Sequence, residues 1–199
     1  MDIETICKEL DEVVCRLYFA NSSINIAKSV FAACENGKQD ILAPDIFFWQ
    51  TVLDNCYFRA LSELAKTYDE SKGSVGLRKI INQIEQAGWD DAAEKKSLVK
   101  SANEKYESAM ELREKLKILR DKGLMHTDKA YAANLKELVS ANRMPTAGIE
   151  RLITTAMDIC NSFLGEFTGV QRALFSPLND DASSIISDLE KARELRKQR

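Results

Sequence analysis

The stretch IETICKELDEVVCRLYFANSSINIAKSVFAACE, residues 3–35, decides the fold class. Its apolar residues Ile3, Ile6, Leu10, Val13, Val14, Leu17, Ile24, Ala27, Val30, Phe31 and Cys34 recur at mixed three and four spacing. That is the period of an amphipathic α-helix, and nothing alternates as a strand would. Gly37 marks its end, because glycine accepts the left-handed backbone that closes a helix. Asn21, Ser22 and Ser23 are poor helix formers and leave room for a kink or break near residue 22.

The same period governs the rest of the chain. Pro44 and Asp45 read as a helix start, and the segment Ile46 to Ala65 is so rich in Phe, Trp, Val and Leu that it is expected to be the most buried element. Phe47, Phe48, Trp49, Tyr57 and Phe58 are accordingly read as core rather than as a base-stacking platform. A loop through Tyr68, Asp69, Ser71, Gly73 and Gly76 follows, then a short helix with Leu77, Ile80, Ile81 and Ile84 on one side, closed by Gly88. Asp90 and Asp91 open a charged helix whose stripe of Leu98, Ala102, Ala109, Leu112, Leu116 and Leu119 runs to Gly123. As one rod over residues 90–122 it would reach roughly 50 Å at about 1.5 Å per residue, long enough to project or to pack on a second subunit.

Leu135 and Leu138 come next, and Pro145 and Thr146 then open a second core helix with Ile149, Leu152, Ile153, Ala156, Met157, Cys160, Phe163, Leu164 and Phe167. A loop with Pro177, Asn179 and Asp180 leads to a last helix, residues 182–197, with a basic end. There is no internal repeat. The expectation is an all-α, antiparallel bundle of five to seven helices forming one domain over residues 1–199.

Composition narrows the function. The 45% apolar and 30% charged residues are those of a globular protein. A net charge of −3 excludes a general nucleic-acid coat protein, so any polyanion site must be local. The start, MDIETICKEL, reads as neither a secretory signal nor an anchor, and no window approaches the ~20 apolar residues of a membrane span. A cytoplasmic protein without membrane contact is expected. Cys7, Cys15, Cys34, Cys56 and Cys160 are odd in number and never form C-x-x-C, which suits buried, reduced thiols. The basic tail of Lys191, Arg193, Arg196, Lys197 and Arg199 is read first as a solvated helix end, where cations are favoured.

Phosphate-binding glycine loops, the nucleophile elbow and the zinc motif H-E-x-x-H are all missing from the sequence. One histidine cannot supply two Glu-x-x-His motifs, so zinc and di-iron readings fall and no cofactor is called for. That leaves the segment Leu119-Arg120-Asp121-Lys122-Gly123-Leu124-Met125-His126-Thr127-Asp128-Lys129. Imidazole titrates near neutrality and arginine grips phosphate through a planar fork of donors. Together they suit phosphodiester cleavage without a metal. A base takes the ribose 2′-hydroxyl proton, an acid protonates the leaving oxygen, and a cation stabilises the phosphoryl oxygens. Residues 111–129 hold six basic and four acidic side chains, permissive for RNA. On an unbroken helix Arg120 and His126 would lie about 120° apart, so the helix must break near Gly123 or a partner subunit must supply one of the pair.

The segment Arg120-Asp121-x-x-x-x-His126, following a charged helix and preceding further helices, resembles the HEPN superfamily, whose ribonuclease members carry Arg, a polar residue, a short spacer and His. The run of His126, Thr127, Asp128 and Lys129 is similar to members of bacterial abortive-infection systems, the AbiU-type branch. The motif covers seven residues and the wider likeness about residues 45–165. Met125 stands where many members have a small residue, and Asp128 where the branch paired with a nucleotidyltransferase antitoxin has Tyr. The resemblance implies a metal-independent endoribonuclease of defence or toxin type, with RNA as substrate and the site at a homodimer interface, and leaves room for an antitoxin partner. Arg120 would bind the scissile phosphate, His126 would transfer the proton, and Asp121 or Asp128 would support them. The alternative is a catalytically silent helical dimer that binds RNA or protein and uses the segment only structurally; a nucleotide pocket ranks last for want of a phosphate cradle.

Overall fold

The computed structural model describes residues 2–71, 73–87, 92–121, 144–174 and 179–197. Every regular element among them is helical: α1 (Ile3–Glu35), α2 (Gln39–Leu42) with the 3₁₀ turn Ala43–Asp45, α3 (Ile46–Thr67), α4 (Leu77–Gln86), α5 (Ala92–Ser108), α6 (Met110–Leu119), α7 (Thr146–Thr168) and α8 (Asn179–Lys197). None of the helices among the described residues is long and apolar enough to cross a membrane.

The long rod of the fold is α1. It runs unbroken for 33 residues. At the helical rise this is a length of about 50 Å. Asp2 caps it, accepting a 2.7 Å hydrogen bond from the Thr5 amide, and Gly37 follows its end at φ +78°. No break occurs near residue 22, because Ser22 and Ser23 lie buried within the helix, where packing overrides weak propensity. Side-chain bonds fix the directions of the neighbouring helices. Arg16 of α1 donates to the carbonyl of Lys66, near the end of α3, while Val30 and Ala33 meet Trp49 near its start, so the pair is antiparallel. Lys28 meets Glu150 at the start of α7 and Asp11 meets Arg172 beyond its end, so α7 is antiparallel to α1 as well. Ile186 packs beside Val30 and Ala33, and Lys38 pairs with Glu190, which sets α8 parallel to the end of α1.

The main core joins Leu10, Val13 and Leu17 of α1 to Leu61 and Leu64 of α3, Ile80, Ile81 and Ile84 of α4, and Leu152, Ala156 and Phe163 of α7. A smaller cluster of Val30, Ala33, Leu42, Trp49 and Ile186 closes the other end. α7 is a core helix, as its spacing predicts, and α8 begins at Asn179, ahead of the expected 182.

Three expectations are corrected. α3 is not the most buried element: in its first half only Trp49 is buried, while Phe47 is 82% exposed, Phe48 60% and Phe58 51%, and Tyr57 is half-buried. The reason is angular. Trp49 and Ala60 share the stripe that faces α1. Phe47 and Phe58 each precede one of them by two positions, about 200° around the helix. The expected rod of residues 90–122 is two helices, interrupted at Ala109, and both pack on α7 of the same chain. The cysteines are all free, yet only Cys160 is buried; Cys15 is exposed and Cys7, Cys34 and Cys56 are half-buried. Gly88, Asp90, Asp91, Gly123, Leu135, Leu138, Pro177 and Arg199 lie outside the described residues, whereas Lys191 and Arg193 are engaged by Asp188 and the carbonyl of Asp40.

Candidate functional site

Arg120 caps α6, its backbone amide donating to the carbonyls of Leu116 and Lys117, and the winding widens to π geometry at Arg120 and Asp121. Its guanidinium is held from two sides. Nε donates to Asp121 Oδ1 at 2.7 Å and Nη1 donates to Asp69 Oδ1 at 2.6 Å. These bonds use two of the five N–H groups; the other three have no partner among the described residues. The bonds and charges of Asp121 and Asp69 raise the guanidinium's proton affinity further, against the smaller effect of burial.

Asp69 is itself fixed. Its Oδ1 accepts from the Ser71 amide at 3.1 Å and its Oδ2 from the Ser71 hydroxyl at 2.6 Å, a local Asx turn. The Ser74 hydroxyl donates to the carbonyls of Asp69 and Ser71. Gly76 lies so close that a Cβ there would stand 2.3 Å from the Asp69 carbonyl oxygen. Burial opposes ionisation of Asp69, but the bonds from Ser71 and Arg120 and the charge of Arg120 outweigh it, holding the carboxyl below the ordinary value of 3.8.

Arg120 lies on the wall of a cleft of about 460 Å³ between the end of α3, the loop after it, and the facing sides of α5 and α6. Asp69, Glu70, Glu107 and Glu114 line it together with Arg113, Lys117 and Arg120. Folding thus adds carboxylates that the window 111–129 does not contain, and the described cleft is a mixed-charge network rather than a basic groove. Beneath it sits Tyr106, fully buried, with the guanidinium carbons of Arg113 and Arg78 at 3.6 Å and 4.5 Å from its ring centre. Its hydroxyl donates to Glu70 at 2.9 Å, and Glu70 also pairs with Arg113 at 2.6 Å. Burial raises the phenol's proton affinity, so Tyr106 stays neutral and serves as a packed anchor for the two arginines.

Of the residues that the sequence singles out, Arg120 and Asp121 are brought into contact, whereas His126 and Asp128 lie outside the described residues. Asp69 escapes the motif because it lies 51 positions away; its signals were Asp69-x-Ser71, an Asx-turn pattern, and Gly73 and Gly76 nearby. Among the described residues no group of three or more His, Cys, Asp and Glu side chains is placed to hold a metal ion.

An all-helical bundle that presents a carboxylate-anchored arginine at a helix end, on the wall of a polar cleft, defines a class of helical proteins with a polar rather than an apolar site. The family model HEPN_AbiU2, described as AbiU2, matches residues 13–185, and the chain belongs to this family of abortive-infection HEPN-type proteins. No curated protein and no solved structure matches the chain.

Proposed function

We propose that the protein is a metal-independent endoribonuclease of abortive infection, in which Arg120 binds the scissile phosphate and His126 transfers the proton. The observation that supports this best is the state of Arg120. Two carboxylates fix its orientation while three N–H donors stay unpartnered among the described residues, as a phosphate ligand requires. Asp121 acts on Arg120 through the 2.7 Å bond to Nε. His126, six positions on in the chain, supplies the imidazole. Asp128 orients His126. The guanidinium stabilises charge growing on the phosphoryl oxygens while the imidazole takes the 2′-hydroxyl proton and returns it to the leaving 5′-oxygen. A homodimer that brings two such segments together completes the site, and an antitoxin that covers the cleft would restrain it.

Purified protein incubated with mixed cellular RNA in EDTA is expected to cut it, and His126→Ala is expected not to. Equal activity of the two proteins, or none from either, removes the support for catalysis at this segment.

A further inference from the structure

The loop between α3 and α4 is built to fix one carboxylate. Asp69 makes three bonds through its two carboxylate oxygens, to the Ser71 amide, the Ser71 hydroxyl and Arg120. Its backbone is pinned in turn by the Ser74 hydroxyl and by the close approach of Gly76. The side chain of Asp69 is only 21% exposed and that of Arg120 24%, so solvent competes weakly for the 2.6 Å contact. Asp121 reaches the same guanidinium, but from the neighbouring residue on the same helix end; it cannot fix the arginine relative to the rest of the bundle. Asp69 can, because it is anchored on the far wall of the cleft, 51 positions away in sequence.

We infer that Asp69 is a positioning residue for RNA cleavage, one that aims the Arg120 guanidinium into the cleft and holds its Nη1 side away from the phosphate. This rests on the ribonuclease function proposed above and deepens it. Asp69 does not touch the reacting atoms, and its whole effect passes through Arg120. A guanidinium released from it keeps its charge and still attracts RNA, but loses the one orientation that meets the transition state. Displacement of a group by about 1 Å from its productive place can cost about 100-fold in rate.

The test is steady-state cleavage of a short RNA in EDTA by wild type, Asp69→Ala, Asp69→Asn, Ser71→Ala, Arg120→Ala, His126→Ala and the double variant Asp69→Ala/Arg120→Ala, each checked for helical content and melting temperature. Asp69→Ala is expected to lower kcat about 10- to 100-fold with KM changed less than about threefold. Asp69→Asn keeps an oxygen that accepts from Arg120 and recovers most of that rate, whereas Ser71→Ala lowers it mildly. Because Asp69 acts through Arg120, the double variant is expected to be no slower than Arg120→Ala alone. A wild-type kcat in Asp69→Ala, or a double variant well below Arg120→Ala, overturns the inference while leaving the ribonuclease standing. A kcat that rises in Asp69→Ala also overturns it, because Asp69 would then compete with phosphate for the arginine. Should Asp69→Ala fail to fold, Ser71→Ala decides: a kcat below wild type with KM little changed is expected, and an unchanged kcat overturns the inference. If wild type does not cleave, or His126→Ala cleaves equally, the underlying function fails and the inference falls with it.

Discussion

Replacing Gly76 by Ala tests the local architecture behind Arg120. The backbone of Gly76, at φ −125 and ψ 162, is extended and open to any residue, so the whole effect is steric. A Cβ there would lie 2.3 Å from the Asp69 carbonyl oxygen. A close C···O contact is about 3.3 Å, so the two segments must separate by about 1 Å. Both atoms belong to backbone or its first side-chain atom, with no flexible end to swing aside. Overpacking of this kind costs about 1–3 kcal/mol, which lowers Tm by roughly 2–12 °C for a chain of this size. The shift also carries Asp69 away from Arg120, so RNA cleavage should fall with it. Gly73→Ala is the control. Its Cβ would meet nothing within 4 Å, but its φ of +93° strains any L-residue. That strain costs about 1–2 kcal/mol. Gly73→Ala should therefore lose stability while keeping the cleavage rate. Thermal melts and cleavage rates of the two variants give the answer: an unshifted Tm in Gly76→Ala, or a larger rate loss in Gly73→Ala, refutes the steric reasoning.

Other consequences can be checked on the same purified protein. Phe47→Ser and Phe58→Ser remove rings that are exposed, whereas Phe163→Ala empties a fully buried position in α7. In urea unfolding the first two should each change stability by no more than about 0.5 kcal/mol. Phe163→Ala should cost about 3–5 kcal/mol. Tyr106→Phe removes the hydroxyl that bonds Glu70, and Tyr106→Ala also withdraws the ring beneath Arg78 and Arg113. The first should cost about 1 kcal/mol and the second several times more. Acid unfolding should carry the signature of Asp69. Its folded carboxyl is held below the ordinary value. Its contribution to stability is therefore complete above about pH 4 and is lost as pH falls through the lower folded value. Asp69→Asn should accordingly be less stable than wild type at neutral pH, with the difference shrinking below about pH 4 in pH-dependent urea melts.

The helices were legible wherever burial is one-sided and regular. α1, α4 and α7 each place Leu, Ile or Val at three and four spacing, and each buries that stripe. α3 defeated the same reasoning because the density of aromatic residues says how much apolar surface a helix carries and not which side meets its neighbour; an offset of two positions put Phe47 and Phe58 outside. The interruption at Ala109 has no local signal either, since alanine is the best helix former. Two local bonds and one tertiary bond mark it. The Tyr106 carbonyl accepts from the Ala109 amide at 3.3 Å and from Arg113 Nη1 at 3.1 Å, and the Ser108 carbonyl is taken by Arg151 of α7 at 3.0 Å. At the site, Arg120 and Asp121 are sequence neighbours that the motif picks out together, while the Asp69 contact depends on how the loop after α3 docks beside α6. A pairing across 51 positions leaves no trace in local spacing.

The chemistry of the RNA ends tests the central claim most directly. A proton taken from a 2′-hydroxyl makes that oxygen the nucleophile, so the fragments released by wild-type protein in EDTA should end in 2′,3′-cyclic phosphate with a 5′-hydroxyl on the partner fragment, and an RNA lacking the 2′-hydroxyl at the cut position should stay whole. Fragments ending in 3′-hydroxyl and 5′-phosphate, or cleavage of the 2′-deoxy substrate at the wild-type rate, would contradict the proposed roles of Arg120 and His126.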